Sequence, residues 1–206
     1  MNETREQAYR ENNLGVALLE QFKYAEAADA FRRALGPGGN ASALAIARLN
    51  LGIALLYSQD LAGASRETAE ADRLLPSAPQ PPYVLGLIAR ADNRTDEARK
   101  YFERVRQIDP HDAGTNVNLG QMFLAERQYA NAIEVLERAV ADEPYNVTAV
   151  YNLGQALLRS GRTDEGQRMI ERSQTLRTAG YAITYGTGYL EQGRYAEAIA
   201  STGLEP

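Results

Sequence analysis

Leu-Gly pairs recur through this chain in one register, at Leu14-Gly15, Leu51-Gly52, Leu85-Gly86, Leu119-Gly120 and Leu153-Gly154. Their glycines are 37, 34, 34 and 34 residues apart. Twelve residues after each glycine stand Ala27, Ala64, Ala98, Ala132 and Gly166, and four residues further on stand Phe31, Thr68, Phe102, Leu136 and Ile170. Pro76, Pro110 and Pro144 keep the same 34-residue step. Several residue types holding one period in one phase mark copies of a small unit, and a unit of this length cannot bury its apolar face alone, so the copies must stack.

These residues resemble the tetratricopeptide repeat family over nearly the whole chain. Residues 113–146 carry the pattern most fully, with Leu119, Gly120, Tyr129, Ala132, Ala139 and Pro144 in the family's places. The family's bulky aromatic four residues before the glycine is absent, replaced by Glu11, Arg48, Pro82, Asn116 and Val150. The resemblance implies an all-α, right-handed superhelical solenoid of antiparallel helical hairpins, about twelve helices in a single array over 1–206. The expected repeats are 8–41, 45–78, 79–112, 113–146 and 147–180, with a partial one at 181–206. Glycine lets the first helix approach its partner closely, larger residues such as Phe31 and Phe102 fill the gap, and proline stops the second helix.

Two junctions depart from the period. Extra residues fall within Gly36-Pro37-Gly38-Gly39-Asn40, a loop-forming stretch, and Gly186 follows Gly154 by 32 residues. The fifth repeat reads as degenerate, with Gly166, Ser173 and Thr178 in place of two small residues and the proline. The sixth keeps Gly193-Arg194-Tyr195-Ala196-Glu197-Ala198 as a turn and helix start, then ends at Thr202-Gly203-Leu204-Glu205-Pro206 without a capping helix. On this reading the C-terminal end is the weakest part, Leu190 and Ile199 have too few partners, and the natural protein continues beyond it.

Composition narrows the function. A net charge of −5 and only two lysines, Lys23 and Lys100, argue against a phosphate-binding surface, so no nucleic-acid partner is expected. Tyrosines number 12, but Tyr24, Tyr129 and Tyr195 hold the family's structural turn position and are expected in the core. Absence of cysteine removes disulfides, thiolate metal sites and thiol nucleophiles together. No apolar run is long enough to span a membrane. The polar start, Met1-Asn2-Glu3-Thr4-Arg5-Glu6, is no signal peptide, so the chain is expected to be soluble, cytoplasmic or exported with its signal removed.

Material for catalysis is scarce. His111, the one histidine, sits in Asp109-Pro110-His111-Asp112 between repeats and reads as a solvated loop residue. Acidic residues such as Asp60, Glu67 and Glu70 read as solvating faces and helix pairs. Sequons at Asn2, Asn40, Asn93 and Asn146 fall near turns, where asparagine caps helices. No phosphate loop or metalloprotease motif is present, and neither enzyme activity, cofactor nor metal is expected.

One regularity lies outside the core. Asn13, Asn50, Asn118 and Asn152 each precede the repeat glycine by two residues. Two helical residues stand about 200° apart around the axis, so a glycine facing its packed partner sends the asparagine to the inner, concave face. An asparagine offers a donor and an acceptor together, which suits the backbone of an extended peptide. Tyr9, Val16, Ile46, Ile53, Tyr57, Gln80, Leu87, Gln121, Thr148, Gln155 and Arg159 should line the same groove. The row resembles the asparagine ladder of O-linked N-acetylglucosamine transferases. The competing structural reading makes these asparagines caps or bridges between neighbouring helices. The family's carboxylate clamp for acidic chaperone tails is rejected, because its places hold residues such as Asn12, Leu49 and Ile53.

The expected function is a non-catalytic scaffold that binds a protein or extended peptide on its concave face. The runner-up is a recruiting or regulatory arm of a larger protein or enzyme. The C-terminal stretch resembles bacterial repeat segments that precede FG-GAP/VCBS and ASPIC/UnbV modules. Self-association through the C-terminal unit is a third expectation.

Overall fold

The computed structural model describes residues 3–36, 40–180 and 182–201. The Pro37-Gly38-Gly39 insertion, the Asn2 sequon and the Thr202–Pro206 ending lie outside the described residues. Ten α-helices are found among them: α1 (Glu3–Glu20), α2 (Tyr24–Ala34), α3 (Ala41–Tyr57), α4 (Leu61–Leu74), α5 (Gln80–Ala91), α6 (Thr95–Ile108), α7 (Ala113–Ala125), α8 (Tyr129–Asp142), α9 (Val147–Arg159) and α10 (Thr163–Thr178). The chain divides into two compact units. One holds residues up to Ala98 together with Gly188–Leu190 and Arg194 onward; the other holds Arg99–Thr187 and Glu191–Gly193. Within the first, α1 packs on α2 and α3 on α4; within the second, α7 packs on α8 and α9 on α10.

The periodic residues do what their spacing requires. A Cβ added to Gly120 would fall 2.5 Å from Leu136 Cγ, and one on Gly154 would fall 2.8 Å from Ile170 Cδ1. Gly15 meets Phe31 and Gly52 meets Thr68 in the same way. Ala27, Ala64, Ala98 and Ala132 are wholly buried. Helices α4, α6 and α8 end at Leu74, Ile108 and Asp142, each two residues before its proline.

Each first helix closes with the same left-handed turn, carried by Phe22, Gln59, Asn93, Arg127 and Gly161 at φ of 60°, 66°, 59°, 60° and 90°. The amides of that residue and the one after it fold back on the helix: Gln59 N–H reaches the Leu56 carbonyl at 3.1 Å and Asp60 N–H the Leu55 carbonyl at 2.9 Å. That satisfies carbonyls a helix end would otherwise leave open. Helix starts are capped where the sequence offers an oxygen. Asn40 accepts from Ala43 N–H, Asp60 from Gly63, Asp112 from Thr115 and Asn146 from Ala149. The sequon asparagines Asn40 and Asn146 are thus N-caps, and Asn93 holds a left-handed turn position.

Four expectations are corrected. The sixth repeat forms no helical hairpin: among residues 182–201 only a short 3-10 helix, Arg194–Ala196, is found, so ten helices replace about twelve. Ile183, Thr184, Tyr185, Gly186, Thr187 and Gly188 are β-branched, aromatic or glycine, all weak helix formers. Ile199 does not lack partners either. Tyr189, Ala196 and Ser201 are buried, and although Leu190 stays exposed, the backbone N–H and C=O of Ile199 are both paired. Gly166 is no packing defect, since a Cβ there would lie 2.8 Å from the Leu158 nitrogen and 3.0 Å from the Gly154 carbonyl oxygen. Glu67 is buried rather than solvating, and accepts from Arg48 across the hairpin at 2.7 Å.

Leucine in place of Gly120 is expected to destabilise the fold by about 1–3 kcal/mol through overpacking. Gly166→Ala, which restores the family's usual residue, is expected to destabilise by a similar ~1–3 kcal/mol because the obstacle is backbone. Urea unfolding of both variants measures this; a gain in stability for Gly166→Ala would refute the close approach of α9 and α10.

Candidate peptide-binding site

First helices lie beside one another within each unit, α1 against α3, α3 against α5, and α7 against α9. In the first unit their asparagines hold an extended stretch of the chain's own C-terminal segment. Asn50 accepts from Ile199 N–H at 2.9 Å and donates to the Ile199 carbonyl at 2.8 Å. Asn13 accepts from Ser201 N–H at 2.7 Å and donates to the Ser201 carbonyl at 3.0 Å. Each side-chain amide therefore pairs with both polar groups of one backbone residue, using its donor and acceptor together. Ile199 and Ser201 are two apart, and in extended backbone alternate residues share a face, so two asparagines on adjacent helices meet successive same-side positions.

Asn12 completes the set. Its Nδ2 donates to the Ile199 carbonyl at 3.0 Å and to Ser201 Oγ at 3.1 Å, while its Oδ1 accepts from Asn50 Nδ2 at 2.9 Å. Asn12 and Asn50 are buried, whereas Asn13 lies at the exposed edge. Each of these neutral hydrogen bonds contributes roughly 0.5–1.5 kcal/mol net.

Aromatic rings flank this contact. Tyr24 stacks on Tyr57 with centroids 5.5 Å apart, and Tyr57 meets Tyr189 edge-on at 5.4 Å. Tyr83, fully buried, meets Tyr195 at 5.9 Å. Tyr189 Oη accepts from Ala198 N–H at 3.0 Å, and burial pushes its phenol above the ordinary tyrosine range. Burial likewise lowers the Arg90 guanidinium, with Tyr83 and Tyr57 opposing the shift. Tyr24, Tyr129 and Tyr195 are half-buried at the turn rather than fully in the core.

The second unit uses other groups. Thr148 Oγ1 accepts from Tyr185 N–H at 2.9 Å and donates to the Tyr185 carbonyl at 3.2 Å, the same two-point pairing made by a hydroxyl. Val147 N–H, an open donor at the start of α9, reaches the Ile183 carbonyl at 2.8 Å. Asn118 donates to Gly114 in its own helix at 2.8 Å. Asn152 has a buried Nδ2 without an acceptor among the described residues. Gln121 and Arg159 are exposed and Gln155 is half-buried. In the first unit Tyr9, Ile53 and Leu87 are buried, and Tyr57, Val16, Ile46 and Gln80 are half-buried.

The structure therefore brings together Asn13 and Asn50 on one peptide and gives Asn118 a role within its helix. Asn12, Ser201, Tyr185 and Tyr189 were absent from the sequence-based set of groove residues. The missed signal was two consecutive asparagines, Asn12-Asn13, in the middle of the first helix. His111 is exposed and lies 3.0 Å from the Asp142 carboxylate. No cluster of metal-ligating side chains occurs among the described residues, and no helix there is long and apolar enough to cross a membrane.

Asn13 pairs both its polar atoms with the Ser201 backbone, so Asn13→Ala is expected to lower stability by about 1–2 kcal/mol while leaving the helices formed. Hydrogen exchange at the Ser201 amide should rise about tenfold, corresponding to ~1.4 kcal/mol for the lost pairing. Unchanged exchange at Ser201, measured by NMR, would remove Asn13 from the site.

Family models described as tetratricopeptide repeat match residues 12–36, 49–113 and 123–174, together well over half of the chain. Among curated proteins, the chain is similar to anaphase-promoting complex subunit 6 of Arabidopsis thaliana, at 26% identity over 172 residues. That match covers 81% of this chain and 31% of the plant protein, so the chain spans about a third of its relative's length. Among solved structures, MamA from Desulfovibrio magneticus RS-1 superposes with a TM-score of 0.71 at 18% identity, covering 88% of this chain and 99% of that one. YrrB, described as a TPR protein with an unusual peptide-binding site, superposes at 0.64 and 18% identity over 85% of this chain and 89% of its own. At such identities the likeness is one of fold. Periodic glycines seated on their partner helices, five repeated turns and these matches agree: the chain belongs to the tetratricopeptide repeat family.

Proposed function

We propose that this protein is a non-catalytic scaffold that binds an extended segment of a protein partner on the asparagine-bearing face of its first helices. The observation that carries the reading is the two-point pairing of Asn13 with Ser201 and of Asn50 with Ile199. Side chains that engage N–H and C=O of alternate residues recognise extended backbone as such, with little regard for side-chain identity. Apolar and aromatic neighbours, Tyr57 above all, add burial that polar contacts alone do not supply. In the second unit Thr148 repeats the pairing, and the shielded Nδ2 of Asn152 offers a further donor.

A second reading makes the solenoid the recruiting arm of a larger protein, such as one carrying FG-GAP/VCBS or ASPIC/UnbV modules. The plant relative, of which this chain spans 31%, is itself a longer protein. The same face would serve as the arm's contact surface.

Selection of a displayed library of unstructured ten-residue peptides on the full chain tests the binding face. Selected peptides are expected to lose at least about tenfold in affinity, ~1.4 kcal/mol, when Asn13 and Asn50 are both replaced by alanine. The double variant should keep its helical circular dichroism. Peptides that bind the folded double variant unchanged would move the site to another surface.

A further inference from the structure

We propose that the chain's own residues 188–201 act as an internal stand-in ligand, which an external segment bearing an aliphatic residue, any residue and then serine or threonine must displace. The proposal rests on the peptide-binding reading above and goes further by naming the competitor and the partner's pattern.

The occupant shows the pattern. Ile199 is half-buried, Ala200 points to solvent, and Ser201 is buried. Both Ile199 and Ser201 have their N–H and C=O taken up by asparagines, so the backbone between them is held extended. Selectivity at the last position comes from the hydroxyl. Ser201 Oγ lies 3.1 Å from Asn12 Nδ2, and an aliphatic residue there would leave one of that buried amide's two hydrogens without this acceptor while the other stays on the Ile199 carbonyl. Upstream, Tyr189 and Tyr195 set their rings against Tyr57 and Tyr83. Tyr189 also ties itself to the bound stretch by accepting from Ala198 N–H.

Three features suit the segment to displacement rather than to permanent structure. It belongs to no helix beyond the short 3-10 turn at Arg194–Ala196, although its repeat phase calls for a hairpin. The backbone of Ile199 and Ser201 is held on α1 and α3 by side-chain amides, which can exchange one backbone for another without disturbing either helix. Leu190 and Asn13, at the edges of the contact, are exposed, which gives an incoming segment a place to start.

The probe is a fluorescent synthetic peptide with the sequence of residues 188–201, titrated into the full chain by anisotropy. The chain is used as the wild type and as Ile199→Pro, which removes the N–H that pairs with Asn50. Ile199→Pro is expected to bind the probe at least tenfold more tightly than the wild type. Adding Asn50→Ala to that variant, or changing Ser201 to valine in the probe, should weaken binding severalfold. Should Ile199→Pro fail to fold by circular dichroism, Ser201→Pro, which removes the N–H that pairs with Asn13, takes its place. Equal, asparagine-dependent binding by both chains would overturn the internal ligand and leave the peptide-binding face standing. No binding by the folded proline variant would overturn both. A wild-type chain that dimerises with rising concentration, and a proline variant that does not, would show the segment acting between copies and overturn its internal role.

Discussion

Everything in each hairpin depends on the seat of a first-helix glycine against a side chain sixteen residues later. At Gly120 the neighbour is Leu136, at Gly154 it is Ile170, and at Gly15 it is Phe31. No Cβ fits, so the two helices can close only in one rotation about their axes. Fixing that rotation also fixes what faces away. The residue two before the glycine is carried roughly 200° round the helix, and in α1 and α3 that residue is the asparagine that holds Ser201 or Ile199. The binding face is thus a by-product of the packing contact, with its chemistry free to vary because the packing does not use it.

Close approach is met differently along the chain. Ala132 and Ala64 are the second small residue in two hairpins, but Gly166 takes that place where the Leu158 backbone leaves no room for a methyl group. A departure from the family pattern is therefore a tighter fit. Turns show the opposite tolerance. Phe22, Gln59, Asn93 and Arg127 all adopt the left-handed conformation that glycine adopts at Gly161. A non-glycine residue there is strained by about 1 kcal/mol, and the two fold-back hydrogen bonds of the helix end offset it.

Among residues 182–201 the C-terminal segment keeps the turn of a hairpin without its helices. Gly193 still holds the left-handed turn expected of a sixth hairpin, at φ 90°. The stretch before it, rich in threonine, tyrosine and glycine, does not propagate a helix. Backbone groups released from helical bonding must be satisfied elsewhere. Those of Ile183, Tyr185, Ile199 and Ser201 are taken up by the start of α9, by Thr148 and by the paired asparagines. Side chains of the first helices thus solve the segment's backbone problem.

The sequence by itself determined the paired helices of the five in-phase repeats and their glycine seats, because several residue types hold one 34-residue period in one phase, whereas the sixth, out of phase, reads as a hairpin that does not form. The absence of thiol chemistry was equally legible, since it rests on a count of residues. Only the tertiary structure decided what the asparagines touch, because the partner lies nearly the whole chain away from Asn13 and follows no period. It decided too that Asn118 turns back on its own helix at Gly114 while Asn50 reaches outward. The two share a register position, and no sequence spacing says which hydrogen bond a side chain at that position makes.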